Sequence, residues 1–198
     1  MIAAAPRQGD FGPESKLFRP KQHHFRGSLG RFATGVAVVT FDTSTGSAQR
    51  TSTGSVQAAA RRHGITVNSF TSVSMDPPLV LVSIARTTNA HDELAGRSFT
   101  VNILGAEQEA LAERFSGKQS AEKPGTEPQW VEGKTAPRLS GALSYFQCTP
   151  WAAYDGGDHT LYLGEVQEFD YRSGDALGFV NGRYTPIPEY LLGHEALL

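Results

Sequence analysis

The feature that most constrains the fold of this chain is the alternation of short apolar, β-branched runs with turn-forming residues. The first two thirds of the sequence contain four such runs, at residues 36–41, 63–70, 79–85 and 98–104. Runs of this length that are rich in Val, Ile, Thr and Phe predict β-strands. Three stretches nearer the end also favour strand, at residues 142–151, 159–171 and 177–180. Because turns rather than regular crossover helices connect them, they predict a mainly β, antiparallel barrel of about six or seven strands.

Three segments show helical spacing instead. Phe25, Leu29 and Phe32 recur at intervals of three and four, so residues 23–33 predict a short amphipathic helix that packs one apolar stripe. Residues 89–94 and 106–115 predict two further short helices. We therefore expect a barrel flanked by short helices.

The composition changes at four places along the chain. Residues 1–22 contain dispersed Gly and Pro and predict a flexible arm, and residues 187–198 predict a C-terminal tail. Residues 43–60 are rich in Ser, Thr, Gly and Gln, which predicts a mobile insertion between two strands. Residues 116–140 are loop-dominated. One domain over residues 23–186 is the resulting prediction.

Charge, hydropathy and cysteine content exclude several classes of protein. The 18 Lys and Arg residues against 20 Asp and Glu residues do not fit a strongly basic nucleic-acid-binding protein. The longest strongly apolar stretch, residues 79–85, is far shorter than the ~18 residues that a membrane-spanning helix needs. Cys148 is the sole cysteine, which rules out an intramolecular disulfide and fits a cytoplasmic protein. Its strand-like surroundings predict a core side chain rather than a nucleophile.

Common catalytic motifs are absent from the sequence. It contains no G-x-G-x-x-G, no G-x-x-x-x-G-K-[ST], no G-x-S-x-G and no H-E-x-x-H. A Rossmann dinucleotide site, a P-loop, an esterase nucleophile elbow and a zinc protease site are therefore unsupported. His23 and His24 have no other ligand type nearby at metal-binding spacing, so no metal site is expected.

Hydroxyl and amide side chains cluster along two successive predicted strands and in the residues just after each. The members of this cluster are Thr66, Asn68, Ser69, Thr71, Ser72 and Ser74, and then Ser83, Arg86, Thr87, Thr88 and Asn89. Neutral donors and one fixed cation suit a phosphate group and a ring with alternating carbonyl and N–H groups. The same residues also suit turns and an edge strand that bind water and backbone. Composition alone leaves both interpretations open.

Two smaller patterns have the same ambiguity. Residues 156–159 read Gly-Gly-Asp-His, and His159 could bind a substrate or transfer a proton at neutral pH, or could be structural. Residues 182–184 read Gly-Arg-Tyr, which could supply a cation and an aromatic lid or could form a simple turn.

Taken together, these motifs resemble those of the flavin reductase family, which has an FMN-binding split-barrel fold and includes the reductase components of two-component flavin monooxygenases. The resemblance spans roughly residues 24–185. It is carried by RFATGV at 31–36, GITVNSFTSVS at 64–74, PPLV at 77–80, GDHT at 157–160 and GRY at 182–184.

The resemblance implies a homodimer of six-stranded Greek-key barrels that binds one flavin per subunit. It further implies an NAD(P)H:flavin oxidoreductase that transfers hydride to FMN or FAD and supplies reduced flavin to a separate monooxygenase. The flavin-binding residues that it implies are Thr34, Thr66, Val67, Asn68, Ser69, Ser72, Ser83, Ala85, Arg86 and Thr88. His159 would be the catalytic residue on the nicotinamide side, and Arg183 and Tyr184 would also contact the substrate.

Several points stay open at this stage. The sequence does not distinguish FMN from FAD or NADH from NADPH, and it does not identify the partner monooxygenase. The insertion at 43–60 is longer than the tight hairpin usual in the family. A non-catalytic flavin-binding or electron-carrier protein on the same fold is the alternative function, and an oxidase of the pyridoxamine-phosphate type is disfavoured because the matched motifs are those of the reductases.

Overall fold

The computed structural model describes residues 22–43, 48–50, 56–58, 61–117 and 127–189. The strands in these ranges are β1 (Thr34–Gly35), β2 (Ala37–Thr43), β3 (Ala48–Arg50), β4 (Val56–Ala58), β5 (Arg61–Val67), β6 (Thr71–Met75), β7 (Pro78–Ala85), β8 (Phe99–Ile103), β9 (Trp130–Val131), β10 (Arg138–Leu139), β11 (Ser144–Gly156), β12 (His159–Tyr171), β13 (Ala176–Val180) and β14 (Arg183–Ile187). The helices are α1 (Gln22–Leu29), α2 (Asn89–Leu94) and α3 (Glu109–Phe115), with a 3₁₀ turn over Ala106–Gln108 before α3.

The main sheet is antiparallel and contains seven strands in the order β5-β2-β8-β11-β12-β7-β6. Its two edge strands, β5 and β6, are separated in sequence only by Asn68, Ser69 and Phe70. A sheet whose outermost strands are joined by three residues must curl until those strands meet, so it forms a barrel. The predicted mainly β, antiparallel architecture is confirmed. The main sheet has seven strands rather than six because residues 71–75 pair with β7 instead of forming a connection.

The barrel interior is filled by side chains that alternate along each strand. Val39 and Phe41 of β2, Val82 and Ile84 of β7, and Val101 of β8 are at most 1% exposed and belong to one cluster. Cys148 is fully buried in the same cluster, and burial raises its pKa to about 12. The prediction of a core cysteine is therefore confirmed, and its lack of reactivity remains a prediction.

A second layer covers the outer face of β2 and β8. Val38 and Leu104 pack there with Ala112 of α3, Leu139 and Leu177. Buried polar side chains connect this face to the segment before β11. Asn102 Nδ2 donates to Val38 O at 2.9 Å, and Asn102 Oδ1 accepts from Leu139 N–H at 2.8 Å. Thr40 and Thr100 donate to the carbonyls of Pro137 and Ala136, so the loop-rich segment is fastened to the sheet.

The helices agree with the predictions in position but not fully in packing. Segments 89–94 and 106–115 are helical as predicted. The first helix ends at Leu29. Its predicted apolar stripe is only partly packed, because Phe25, Leu29 and Phe32 are 51%, 57% and 77% exposed whereas Val36, at the next position of the same spacing, is 2% exposed. The hydrophobic spacing predicted the helix correctly.

Several predicted segments lie partly or wholly outside the described residues. These include the N-terminal arm, most of the C-terminal tail and much of the 43–60 insertion. The described parts of the insertion, β3 and β4, pair with each other as an antiparallel hairpin. Across the part of the chain that the structure describes, none of the helices has the length and hydrophobicity needed to cross a membrane.

Candidate ligand-binding cleft

A cleft of about 280 Å³ lies between the ends of β5 and β7. In the described sheet β5 pairs with β2, and β6 pairs with β7 only up to Thr71 opposite Leu81. Beyond Leu81, β7 therefore has no strand beside it on the β6 side. The gap brings together eight residues that the sequence resemblance implied for the site: Thr66, Val67, Asn68, Ser69, Ser83, Ala85, Thr88 and His159.

A single side chain spans this gap. The Ser69 hydroxyl donates to Ser83 O at 2.9 Å and accepts from Ser83 N–H at 3.0 Å. These are the two backbone groups that a neighbouring strand would otherwise pair with. Ser69 was predicted to bind cofactor. In the structure its hydroxyl closes the barrel wall and sets the separation of the two sides of the cleft.

A second, more apolar space of about 180 Å³ adjoins the first. The two share Thr66, Val67, Asn68 and Ser116, and the second adds Val36, Phe179 and Tyr184. Phe179 and Tyr184 are paired across β13 and β14, with ring centroids 5.3 Å apart. Burial, and then the negative charges of Glu113 and Glu109, raise the pKa of Tyr184 above its usual value. The Tyr184 phenol is therefore a neutral donor at physiological pH.

His159 lies on the opposite side of the cleft, at the start of β12. It pairs with Ala85 in the sheet, so its position relative to the end of β7 is set by backbone register. Its side chain is 40% exposed, and Nδ1 lies 2.6 Å from Asp158 Oδ1. Because Asp158 engages Nδ1, the other ring nitrogen, Nε2, is the one left to contact a ligand.

Four residues implied by the resemblance do not line the cleft. Thr34 is in β1 opposite Phe179, and its buried hydroxyl has no hydrogen-bond partner among the described residues. Ser72 and Arg183 are exposed on β6 and β14. The Arg86 guanidinium points to the β11–β12 turn, where Nε donates to Gly157 O at 3.0 Å. Their roles as ligand-binding residues remain predictions.

Ser116 and Phe179 line the cleft although the sequence analysis did not single them out. Ser116 is brought there because α3 packs on β5, with Thr66 Oγ1 donating to Ala112 O at 2.7 Å. No local sequence pattern around Ser116 predicts that contact. Phe179 could have been found, because Asn181 and Gly182 form an Asn-Gly turn with positive φ at both residues. Such a turn predicts a hairpin that pairs Phe179 with Tyr184.

The chemistry of the lining fits a planar ligand that carries a phosphate. Among the described residues, the lining of the two spaces includes hydroxyl, amide, imidazole and aromatic groups and no carboxylate. An anionic group can therefore enter without direct repulsion, and a flat ring can lie against β5 and the aromatic pair. Within the described ranges, no group of three His, Cys, Asp or Glu side chains is placed to hold a metal ion.

A curled antiparallel sheet with a ligand-sized gap in its wall defines this chain as a split-barrel protein. The family described as "Flavin reductase like domain" matches residues 29–188. The chain belongs to this family, as its motifs predicted.

Comparison with individual proteins agrees with that assignment. The chain is similar to "FMN reductase (NADH) SmoA" of Agrobacterium fabrum, with 36% identity over 87% of this chain and 91% of the relative. In structure it is similar to the Streptomyces globisporus NADH:FAD oxidoreductase SgcE6 "in complex with NAD and FAD fragments", with 32% identity, a TM-score of 0.69, and coverage of 86% of this chain and 94% of that one. It is also similar to the styrene monooxygenase flavin reductase of Pseudomonas putida S12, with 33% identity, a TM-score of 0.66, and coverage of 83% and 97%.

Proposed function

We propose that this protein is an NADH-dependent flavin reductase that reduces FMN or FAD and supplies the reduced flavin to a separate monooxygenase. The observation that carries the proposal is the cleft, which combines a polar wall along Thr66–Ser69, a facing wall at the end of β7 and a histidine at its rim. The names of the three similar proteins, which include NADH as the donor, FMN or FAD as the acceptor and a monooxygenase as the partner, support it.

The flavin ring is proposed to lie against residues 66–69, with its phosphate directed toward residues 83–88. Asn68 carries an exposed amide at the end of β5 and can pair with the polar edge of the ring. The hydroxyls of Ser83 and Thr88 and the backbone near Ala85 lie on the facing wall. Hydrogen bonds to a charged group contribute about 1.5–3 kcal/mol each, so three would supply much of the ~8 kcal/mol of a micromolar ligand.

His159 and Tyr184 are proposed to act on the nicotinamide side of the site. When bound, the flavin accepts a hydride from the reduced nicotinamide, which requires the reacting atoms to be about 3–3.5 Å apart. His159 is held at one rim of the cleft by the sheet register and by Asp158, and Tyr184 is held at the other by its pairing with Phe179. Both side chains can therefore orient the donor without being consumed in the reaction.

A steady-state assay with and without added flavin tests the function. We expect oxidation of NADH to depend on free FMN or FAD, and rapid bleaching of the flavin band when protein, flavin and NADH are mixed without oxygen. A protein that binds flavin but leaves the band unchanged would instead be the non-catalytic electron carrier on the same fold. Parallel reactions with NADPH establish the donor preference, and parallel reactions with both flavins establish the acceptor.

A homodimer in the cytoplasm is the proposed physical state of the enzyme. Two apolar surfaces are exposed among the described residues: Leu29 and Phe32 at and just after the end of α1, and the outer end of a ring series in which Phe146 stacks on Phe70 and on Phe169. Phe169 is 66% exposed. Exposed aromatic patches of this kind mark interaction surfaces. Sedimentation should give a dimer, and Phe169→Ser should shift the equilibrium toward monomer. A monomeric wild-type protein would contradict the proposal.

A further inference from the structure

The tip of the β11–β12 hairpin is attached to the end of β7 by Arg86. The Arg86 backbone N–H donates to Asp158 O at 3.0 Å, and its side-chain Nε donates to Gly157 O at 3.0 Å. Its Nη2 also lies 3.5 Å from Asp155 Oδ2. The other oxygen of Asp155 accepts from Gly157 N–H at 2.7 Å. The Arg86 side chain therefore joins the turn to the end of β7, and the Asp155 side chain bonds within the turn.

The β11–β12 ladder ends at the pair Gly156 and His159, and side-chain packing adds little to hold the turn beyond it. Residues 153–158 are all exposed, and a Cβ added at Gly157 would meet no atom within 4 Å. Gly157 has φ of +80°, a conformation that favours glycine, and it contributes no side chain to the centre of the turn. Because packing does not fix the turn, its hydrogen bonds must do so. The backbone of His159 is fixed by its pairing with Ala85 and Gly156, but its imidazole Nδ1 bonds Asp158 in the turn, so the orientation of the turn affects where the imidazole points in the cleft.

The chemistry of Arg86 suits this attachment. A guanidinium presents donors in a fixed planar arrangement, so one edge can reach both a carbonyl and a carboxylate. A lysine ammonium carries the same charge but is a single point donor at the end of a flexible chain. Charge alone is therefore insufficient to reproduce the contacts with Gly157 and Asp155.

We propose that Arg86, together with Asp155, is a positioning residue that holds the hairpin turn so that His159 faces the nicotinamide side of the cleft. This role rests on the proposed reductase function and differs from the phosphate-binding role that the sequence resemblance implies for Arg86. A phosphate ligand would depend on the charge of Arg86, whereas the turn depends on its geometry.

The test compares Arg86→Lys, Asp155→Asn and the double variant with the wild-type protein. Arg61→Lys is the matched control, because Arg61 is exposed at the far end of β5 from the cleft. Hydrogen–deuterium exchange of the free proteins reports on the turn without any activity. We expect faster exchange of the backbone amides around residues 155–161 in both single variants, and no change in the control. In the double variant the effect should be smaller than the sum, because both changes remove the same attachment.

Kinetics and binding then separate positioning from phosphate binding. In Arg86→Lys we expect the KM for NADH to rise about tenfold and the Kd for FMN, measured by fluorescence titration, to change by less than about twofold, because only the donor-side geometry is disturbed. Unchanged exchange around the turn would overturn the proposal. The proposal would also be overturned if Arg86→Lys had a normal KM for NADH while Arg86→Gln bound FMN more weakly. That pattern would show that the charge of Arg86 contacts the flavin phosphate. A wild-type protein that fails to oxidise NADH would refute the proposed function itself, whatever the exchange measurements show.

Discussion

Replacing Ser69 by alanine tests how the cleft is formed. The hydroxyl is the only part of the side chain that this change removes, and in the native protein it bonds both Ser83 N–H and Ser83 O. The variant therefore leaves two backbone groups of β7 without that partner while the Cβ atom stays in place.

The size of the effect follows from the burial of these groups. A buried donor that loses its partner costs about 1–3 kcal/mol. Ser83 is only partly buried, so water can replace part of the loss. We therefore expect the free energy of unfolding to fall by about 1–2 kcal/mol, which for a domain of this size lowers Tm by about 2–8 °C.

Urea denaturation followed by tryptophan fluorescence measures the stability, and titration with FMN measures the binding. We expect the Kd for FMN to rise about three- to tenfold, because the facing wall of the cleft is less well fixed. The matched control is Ser140→Ala, at an exposed turn position remote from the cleft. If Ser69→Ala were as stable as Ser140→Ala, the bridging role of Ser69 would be refuted. If Ser69→Ala were less stable but bound FMN as the wild-type protein does, the influence of Ser69 on the cleft would be refuted.

Three further predictions concern the site and the core. His159→Ala should raise the KM for the nicotinamide, measured in the steady state, far more than the KM for flavin. Asn68→Ala should mainly weaken flavin binding, measured by titration. A variant that affects both ligands equally would contradict the role given to that residue. Gly164→Ala should destabilise the barrel by about 1–3 kcal/mol in urea, because the added Cβ would lie 2.6 Å from core atoms, whereas Gly27→Ala, where nothing lies within 4 Å, is the control. Burial raises the pKa of Cys148 to about 12, so we expect its thiol to resist a thiol reagent at pH 8 in the folded protein and to react in urea. Stoichiometric labelling without denaturant would argue against a closed core.

The sequence predicted the parts of this protein that depend on local patterns. The run 79–85 reads as a buried strand because its apolar residues are β-branched and continuous, and Val82 and Ile84 are indeed in the barrel interior. The polar residues around Asn68 and Ser83 were recognised as a cluster because they lie along successive predicted strands and just after them. Both inferences need only the strand period and the chain order.

Long-range contacts could not be predicted in this way. Nothing in the sequence around Ser116 shows that α3 packs on β5, and Asn102 gives no sign that it bonds a segment more than thirty residues away. The exposed stripe of α1 shows a second limit of sequence-based prediction. Hydrophobic periodicity identifies an apolar helix face but does not identify what covers it. The side-chain direction of Arg86 is likewise set by a turn about seventy residues later in the chain.

The interruption between β5 and β7 has a consequence for ligand release. One hydroxyl group holds that part of the wall where a continuous ladder would use several backbone bonds. We expect this region to be less rigid when the cleft is empty, so that a molecule that binds across the interruption orders it and the entropy lost offsets part of the contact energy. We therefore expect the geometry that creates the pocket to keep the affinity for flavin moderate, which suits a protein whose product has to depart intact and reach a second enzyme.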